Sequence, residues 1–172
     1  RPENHILVPP EPFPQADILI TESTYGDRLH KDNKATEEEL LNIVIQTCIT
    51  KGGKLIIPAF SVGRTQEVVY ALNNFFNSGR LPKVDIFVDS PLAVNATAVF
   101  RTHPECFNKE FLKVMETDPD PFGFNSLFFI TRQQDSKKLN EHKKPCVIIS
   151  ASGMMEAGRV KHHLANNISN PK

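Results

Sequence analysis

A carboxylate at the end of an apolar run is the first group in this chain with chemistry to offer. Ala16 to Ile20 leads into Thr21-Glu22-Ser23-Thr24-Tyr25-Gly26, which places Glu22 and several hydroxyls at the mouth of an expected strand. Held there, Glu22 could act as a general acid or base, or orient a histidine; the alternative is an ion pair with Arg28 or Arg64. Three more apolar runs end in small or hydroxylated residues: Pro58-Ala59-Phe60-Ser61-Val62-Gly63-Arg64, Asp89-Ser90-Pro91-Leu92 and Ser150-Ala151-Ser152-Gly153-Met154. Four strand ends are therefore expected to feed one polar edge.

Two of these segments have the makings of an anion site. Ser61-Val62-Gly63-Arg64-Thr65 lies between an expected strand and a helix start, so a phosphate could meet backbone N–H groups, two hydroxyls and the Arg64 guanidinium together. It lacks the Gly-Lys-Ser/Thr ending of a Walker loop, and its plainer reading is a tight turn at Gly63 with Ser61 as a cap and Arg64 in solvent. Downstream, Arg159, Lys161, His162 and His163 fall within five residues, and helical spacing sets Arg159 beside His162 or His163 on one face. That suits a phosphodiester. The adjacent histidines point about 100 degrees apart on a helix and so do not chelate one metal as an i, i+4 pair does; capping or packing is the alternative for them. His5, His30, His103 and His142 are scattered, no His-x-His or Gly-x-Ser-x-Gly occurs, and no metal ligand is assigned.

The elements that must position these groups follow from pattern. Short, nearly uninterrupted apolar runs at about 16 to 22, 54 to 60, 84 to 89, 127 to 131 and 145 to 150 read as strands buried on both faces of a parallel sheet. Helical stripes separate them. One starts at Thr36, where Thr36 and Glu39 match a capping box, and stops at Gly52-Gly53; a second covers about 65 to 77 and stops at Ser78-Gly79. Ser90-Pro91 is an N-cap and first-turn pair for a third over 92 to 101, and shorter helices are expected at 107 to 116, 133 to 141 and 156 to 166. Alternating strand and helix predicts an α/β fold: a three-layer, open, mainly parallel sheet of Rossmann-like kind with helices on both faces. In such sheets the carboxyl ends of the strands share a crevice, where the polar edge would lie.

Composition narrows the partners. Lys plus Arg equals Asp plus Glu at 20 each, so no global field draws the protein to a polyanion and any such site must be local. Three widely spaced cysteines without Cys-x-x-Cys argue for reduced thiols, and no run is long enough to span a bilayer. The expectation is a soluble, cytoplasmic protein with no membrane partner. Pro2, Pro9, Pro10, Pro12 and Pro14 make residues 1–15 too proline-rich for helix or central strand, and these read as a connector from a longer chain.

From about residue 15 onward the sequence resembles the β-CASP domain of the metallo-β-lactamase-fold nucleases, the group that holds the endonuclease of the eukaryotic pre-mRNA cleavage and polyadenylation factor and its prokaryotic relatives. Three ordered blocks carry the likeness. Ala16 to Gly26 resembles the stretch holding that family's motif A acid, with Glu22 at the matching position. Ile57 to Glu67 is similar to the block IPAFAxGRxQE, and Ser152-Gly153-Met154 with Gly158-Arg159-Val160-x-His162-His163-Leu164 is similar to the last block before motif B. The resemblance implies that 16–172 is a β-CASP domain whose family partner is a metallo-β-lactamase-like domain of the same full-length chain. It also implies a zinc-dependent ribonuclease with two zinc ions in the full-length enzyme, none on these residues, and single-stranded RNA as substrate. Glu22 would orient the motif B histidine. Ser61, Arg64, Ser90, Ser152, Gly153, Met154, Arg159 and His162 would touch substrate, and isolated residues 1–172 would not cleave. A homodimer of the full-length protein is a further expectation. Three other readings stand beside it: an independent nucleotide- or phosphometabolite-binding module, a DNA-processing β-CASP nuclease, and a structural or interaction domain whose polar edge binds protein.

Overall fold

Alternating β-rich runs and helical stripes give a parallel sheet in the computed structural model, which describes residues 4–28 and 33–170, with one isolated antiparallel bridge between Leu7 and Phe107. Helix α1 (Asn33–Val44) continues into a π-helical segment (Ile45–Thr50). There follow β1 (Lys54–Pro58), α2 (Arg64–Asn77), β2 (Asp85–Asp89), α3 (Pro91–Thr102), a 3₁₀ turn (Pro104–Cys106), α4 (Lys109–Met115), β3 (Leu127–Ile130), α5 (Gln133–Glu141), β4 (Cys146–Ser150) and α6 (Val160–Asn167). The four strands form one sheet in the order β1-β4-β2-β3, with every neighbouring pair parallel.

Strand β4 is buried at every position because it lies inside the sheet with helices over both faces. Its alternate residues divide the core in two. Val147 and Ile149 join Val69 of α2, Ala93 of α3 and Phe111 of α4 in the larger cluster, whereas Cys146 and Ile148 join Leu139 of α5. The route from β1 through β2 to β3 thus carries its helices on one face, and the return from β3 to β4 uses the other, as crossovers of a single hand require. Phe111 centres the larger cluster, with ring centroids 4.9 Å from Tyr70, 4.6 Å from Phe107 and 5.4 Å from Phe122. Burial pushes the Cys146 thiol up to about 12 and raises Cys48 too, so neither thiol ionises near neutrality.

Local signals placed most helix ends. The Ser90 hydroxyl accepts from the Ala93 N–H at 3.2 Å with Pro91 in the first turn, and Gly79 adopts φ +68° just past α2. Helix α1, however, already runs from Asn33, so Thr36 and Glu39 lie inside it and not at its start. Upstream Lys34 and Ala35 are good helix formers, and the helix extends through them.

The expected strand over 16 to 22 is not part of the sheet. Ile18, Leu19 and Ile20 are 81%, 67% and 93% exposed, and the segment from Pro9 to Arg28 is exposed throughout. An apolar run states that a strand wants cover, not where its partner is, and Pro9, Pro10, Pro12 and Pro14 hold the preceding backbone extended and short of donors. Before those prolines the chain is anchored: Ile6 is buried, its carbonyl accepts from the Asn108 N–H at 2.9 Å, and Asn4 Oδ1 accepts from the Ile6 and Leu7 N–H groups.

Candidate functional site at the carboxyl edge

Strand β4 enters between β1 and β2, yet its following helix lies on the face opposite to theirs. By the topological rule for open parallel sheets, such a reversal marks the carboxyl ends of the central strands as the place for a crevice, where Ser61 and Ser90 are themselves buried. The turn after β1 forms its first lip. Gly63 has φ +82°, and Gln66, fully buried at the start of α2, braces the turn: its Oε1 accepts from the Gly63 N–H at 2.8 Å while Nε2 donates to the Ser61 carbonyl and to Thr97 Oγ1 on α3. Ser61 and Ser90 then meet across the crevice, hydroxyl to hydroxyl, at 3.2 Å. The loop after β4 forms the other lip. A Cβ on Gly153 would lie 3.2 Å from the Phe60 ring and 3.3 Å from its backbone nitrogen, a tight approach that glycine eases where that backbone sits against β1's exit.

Beneath the rim is a buried charge cluster. Asp89, the last residue of β2, is fully buried; its Oδ1 accepts from Arg159 Nη1 at 2.7 Å, and its Oδ2 faces Ser136 Oγ and His163 Nε2, each at 2.6 Å. Burial alone would raise the Asp89 carboxyl, but hydrogen bonds from His163, Ser136 and Arg159 together outweigh it and hold the group below its usual range. Ser150 Oγ donates to the Asp89 carbonyl, and Arg159 also reaches the carbonyls of Ile130, which ends β3, and of Thr131 just after it.

The expected site residues are therefore distributed unevenly. Ser61, Ser90 and Gly153 come together at the crevice, and Met154 is exposed beside Gly153. Ser152 uses its N–H on the Ala157 carbonyl and its carbonyl on the Met155 N–H, within the same loop. Arg64 lies on the first turn of α2, more than half exposed, with Nη1 2.8 Å from Glu67. Arg28 pairs with Asp27, so neither arginine weighed as a partner for Glu22 takes that part. Glu22 accepts from the Thr24 N–H at 2.8 Å in the exposed segment, and hydrogen bonds from Thr24's backbone and side chain keep its carboxyl below the usual range. His162 faces solvent while His163 is the buried one of the pair. Asp89 was not among the expected site residues; the signal was an acid closing an apolar run directly before the Ser90-Pro91 cap.

Among the described residues no three His, Cys, Asp or Glu side chains converge as a metal site. Residues 65–172 match the family model of the Beta-Casp domain. The chain belongs to the β-CASP family. It is 35% identical over 170 residues to the ribonuclease TTHA0252 of Thermus thermophilus, covering 99% of this chain and 39% of that protein. To the RNase J-like protein of Methanocaldococcus jannaschii it is 38% identical over 152 residues, 87% of this chain and 34% of the relative. The endoribonuclease ysh1 of Schizosaccharomyces pombe is 33% identical over 157 residues, 91% of this chain and 20% of its own length. The chain thus spans about two-fifths or less of these curated relatives. The block from Ile57 to Glu67 folds as the end of β1, the braced turn and the start of α2, and the family match begins within it at Thr65.

Proposed function

We propose that this β-CASP domain is the substrate-gripping part of a zinc-dependent nuclease that hydrolyses phosphodiester bonds in single-stranded RNA. The observation that carries this reading is the 35% identity over 170 residues to a protein named as a ribonuclease, on a chain whose strand ends bring the Ser61 and Ser90 hydroxyls together at the carboxyl edge. Phosphates would meet the Ser61 and Ser90 hydroxyls, the Arg64 guanidinium and the Ser152-Gly153-Met154 loop, with His162 at the near end of α6. Contacts of that type fix register without reading bases. Glu22, ionised at neutral pH, would accept a hydrogen bond from and orient a catalytic group rather than donate a proton itself. The zinc ions would be held by residues other than those described.

The test is hydrolysis of end-labelled single-stranded RNA by the full-length protein, with the matching DNA strand alongside. RNA is expected to be cut and the DNA to survive; an enzyme that ignores RNA, with or without added zinc, would overturn the reading. Glu22→Gln is expected to lower turnover by about 10–100-fold, the usual loss when a group that orients a catalytic residue is changed, with zinc content unaltered. Unchanged turnover would remove Glu22 from the mechanism.

A further inference from the structure

Arg159 was expected to touch phosphate, yet its donors are engaged inside the fold. Nη1 donates to Asp89 Oδ1 at 2.7 Å and to the Ile130 carbonyl at 3.2 Å, and Nη2 donates to the Thr131 carbonyl at 2.6 Å. Three of a guanidinium's five N–H donors are thereby taken, and the side chain is only 20% exposed. We propose that Arg159 is a positioning residue and no phosphate ligand: with Asp89 it forms a latch that fixes the loop from Ser152 to Gly158 against the ends of β2 and β3. The functional part of this claim rests on the nuclease reading above; the latch itself does not.

The loop needs such a latch because its own bonds, including Met155 N–H to the Ser152 carbonyl, stay within the loop and the end of β4. Ser152 N–H donates to the Ala157 carbonyl at 3.2 Å and Val160 N–H to the Ala151 carbonyl at 3.1 Å, which close the loop on itself and on the end of β4. Neither bond reaches β2 or β3. Met154 and Met155, at the tip, are 63% and 49% exposed and bring no buried anchor. Gly153 abuts Phe60 at the exit of β1, and Arg159, next to Gly158, is what connects the loop to the ends of β2 and β3. The carboxylate it grips is held in turn by α5 and α6: Ser136 Oγ and His163 Nε2 both lie 2.6 Å from Asp89 Oδ2, and His163 Nδ1 lies 3.1 Å from Asn140 Oδ1. Asp89 also precedes Ser90, whose hydroxyl meets Ser61. One buried acid thus sets the separation of the two lips of the crevice, and its solvation cost is offset only while its donors stay in place.

A latch and a phosphate ligand answer differently to substitution. Lysine keeps the charge a phosphate would want, but one ammonium on a flexible stem does not span Asp89, Ile130 and Thr131 as a planar fork does. The experiment uses the full-length protein with Arg159→Lys, Arg159→Gln and Asp89→Asn. The first measurement needs no substrate: hydrogen exchange at the Ser152, Met155 and Val160 amides is expected to speed up roughly tenfold or more in all three, while the amides of β1 and β4 keep their protection. The second is binding of labelled single-stranded polyuridine across a salt series. Arg159→Gln is expected to leave the slope of log K against log salt as in the unmodified protein and to add nothing to Asp89→Asn in the double variant; turnover falls in all three. Should Asp89→Asn fail to fold, the two Arg159 variants decide alone. Unchanged loop exchange would overturn the latch. So would a salt slope reduced by about one in Arg159→Gln but kept in Arg159→Lys, the signature of a direct phosphate contact. If the unmodified protein binds no RNA, the nuclease reading falls while the exchange measurement still decides the latch.

Discussion

Asp89 concentrates more of this molecule's electrostatics than any other described residue, and its behaviour with pH follows from its surroundings. The folded carboxyl ionises below the unfolded one, whose ordinary value is 3.8, because three donors stabilise the charged form. The stability it contributes is therefore complete above that ordinary value and is lost as pH falls through the depressed folded value. Thermal melts of the unmodified protein are expected to drop steeply below about pH 4, and those of Asp89→Asn to drop less steeply from a lower start. Asp89→Ala is expected to cost about 3–5 kcal/mol at neutral pH, since it leaves the partly buried Arg159 guanidinium and the buried His163 without their acceptor. Parallel acid limbs in the two proteins would mean that the carboxylate is not ionised in the fold.

Glycines at the element junctions allow two kinds of strain to be separated. Gly63, entering α2, has φ +82° and open space where a Cβ would go; Gly158, entering α6, has φ +76° and would place a Cβ 2.3 Å from the Ala151 carbonyl oxygen. Gly63→Ala is expected to destabilise by about 1–3 kcal/mol, the cost of the backbone conformation alone. Gly158→Ala should exceed it, because strain and collision add and the collision is with backbone, which cannot rotate away. Equal melting temperatures for the two variants would contradict the close approach at Gly158. These junctions were also the parts of the fold most legible in sequence. Ser90-Pro91 and Ser78-Gly79 specify their helix ends through bonds a few residues long, so β2, α2, α3 and α5 lie within a residue or two of their expected bounds. The run from Ala16 to Ile20 has a strand's composition but carries no code for its partner, and the start of α1 was masked by a capping pattern that occurs inside the helix.

At the scale of the whole molecule, the crevice was legible as far as a topological rule reaches: runs that end in Ser61, Ser90 and Gly153 had to share an edge if the sheet was parallel. What was hidden depends on long-range order. Asp89 and His163 lie 74 residues apart and meet only because β4 inserts between β1 and β2, and the choice between His162 and His163 rests on a helix phase that adjacent histidines leave open. The same topology makes the edge testable against the rest of the surface. With acidic and basic residues balanced at 20 each, RNA is attracted by whichever cations line its path and not by an overall field. Arg64 stands at the carboxyl edge, whereas Lys144 precedes β4 and lines a groove with Lys83 and Asp85 at the opposite, amino edge. Arg64→Gln in the full-length protein is expected to weaken polyuridine binding and to lower the slope of log K against log salt by about one, while Lys144→Gln leaves both as they were. The two residues carry the same charge, so a general electrostatic attraction would respond alike to the loss of either; only a strand lying along the carboxyl edge separates them, and equal effects would place the RNA somewhere other than this crevice.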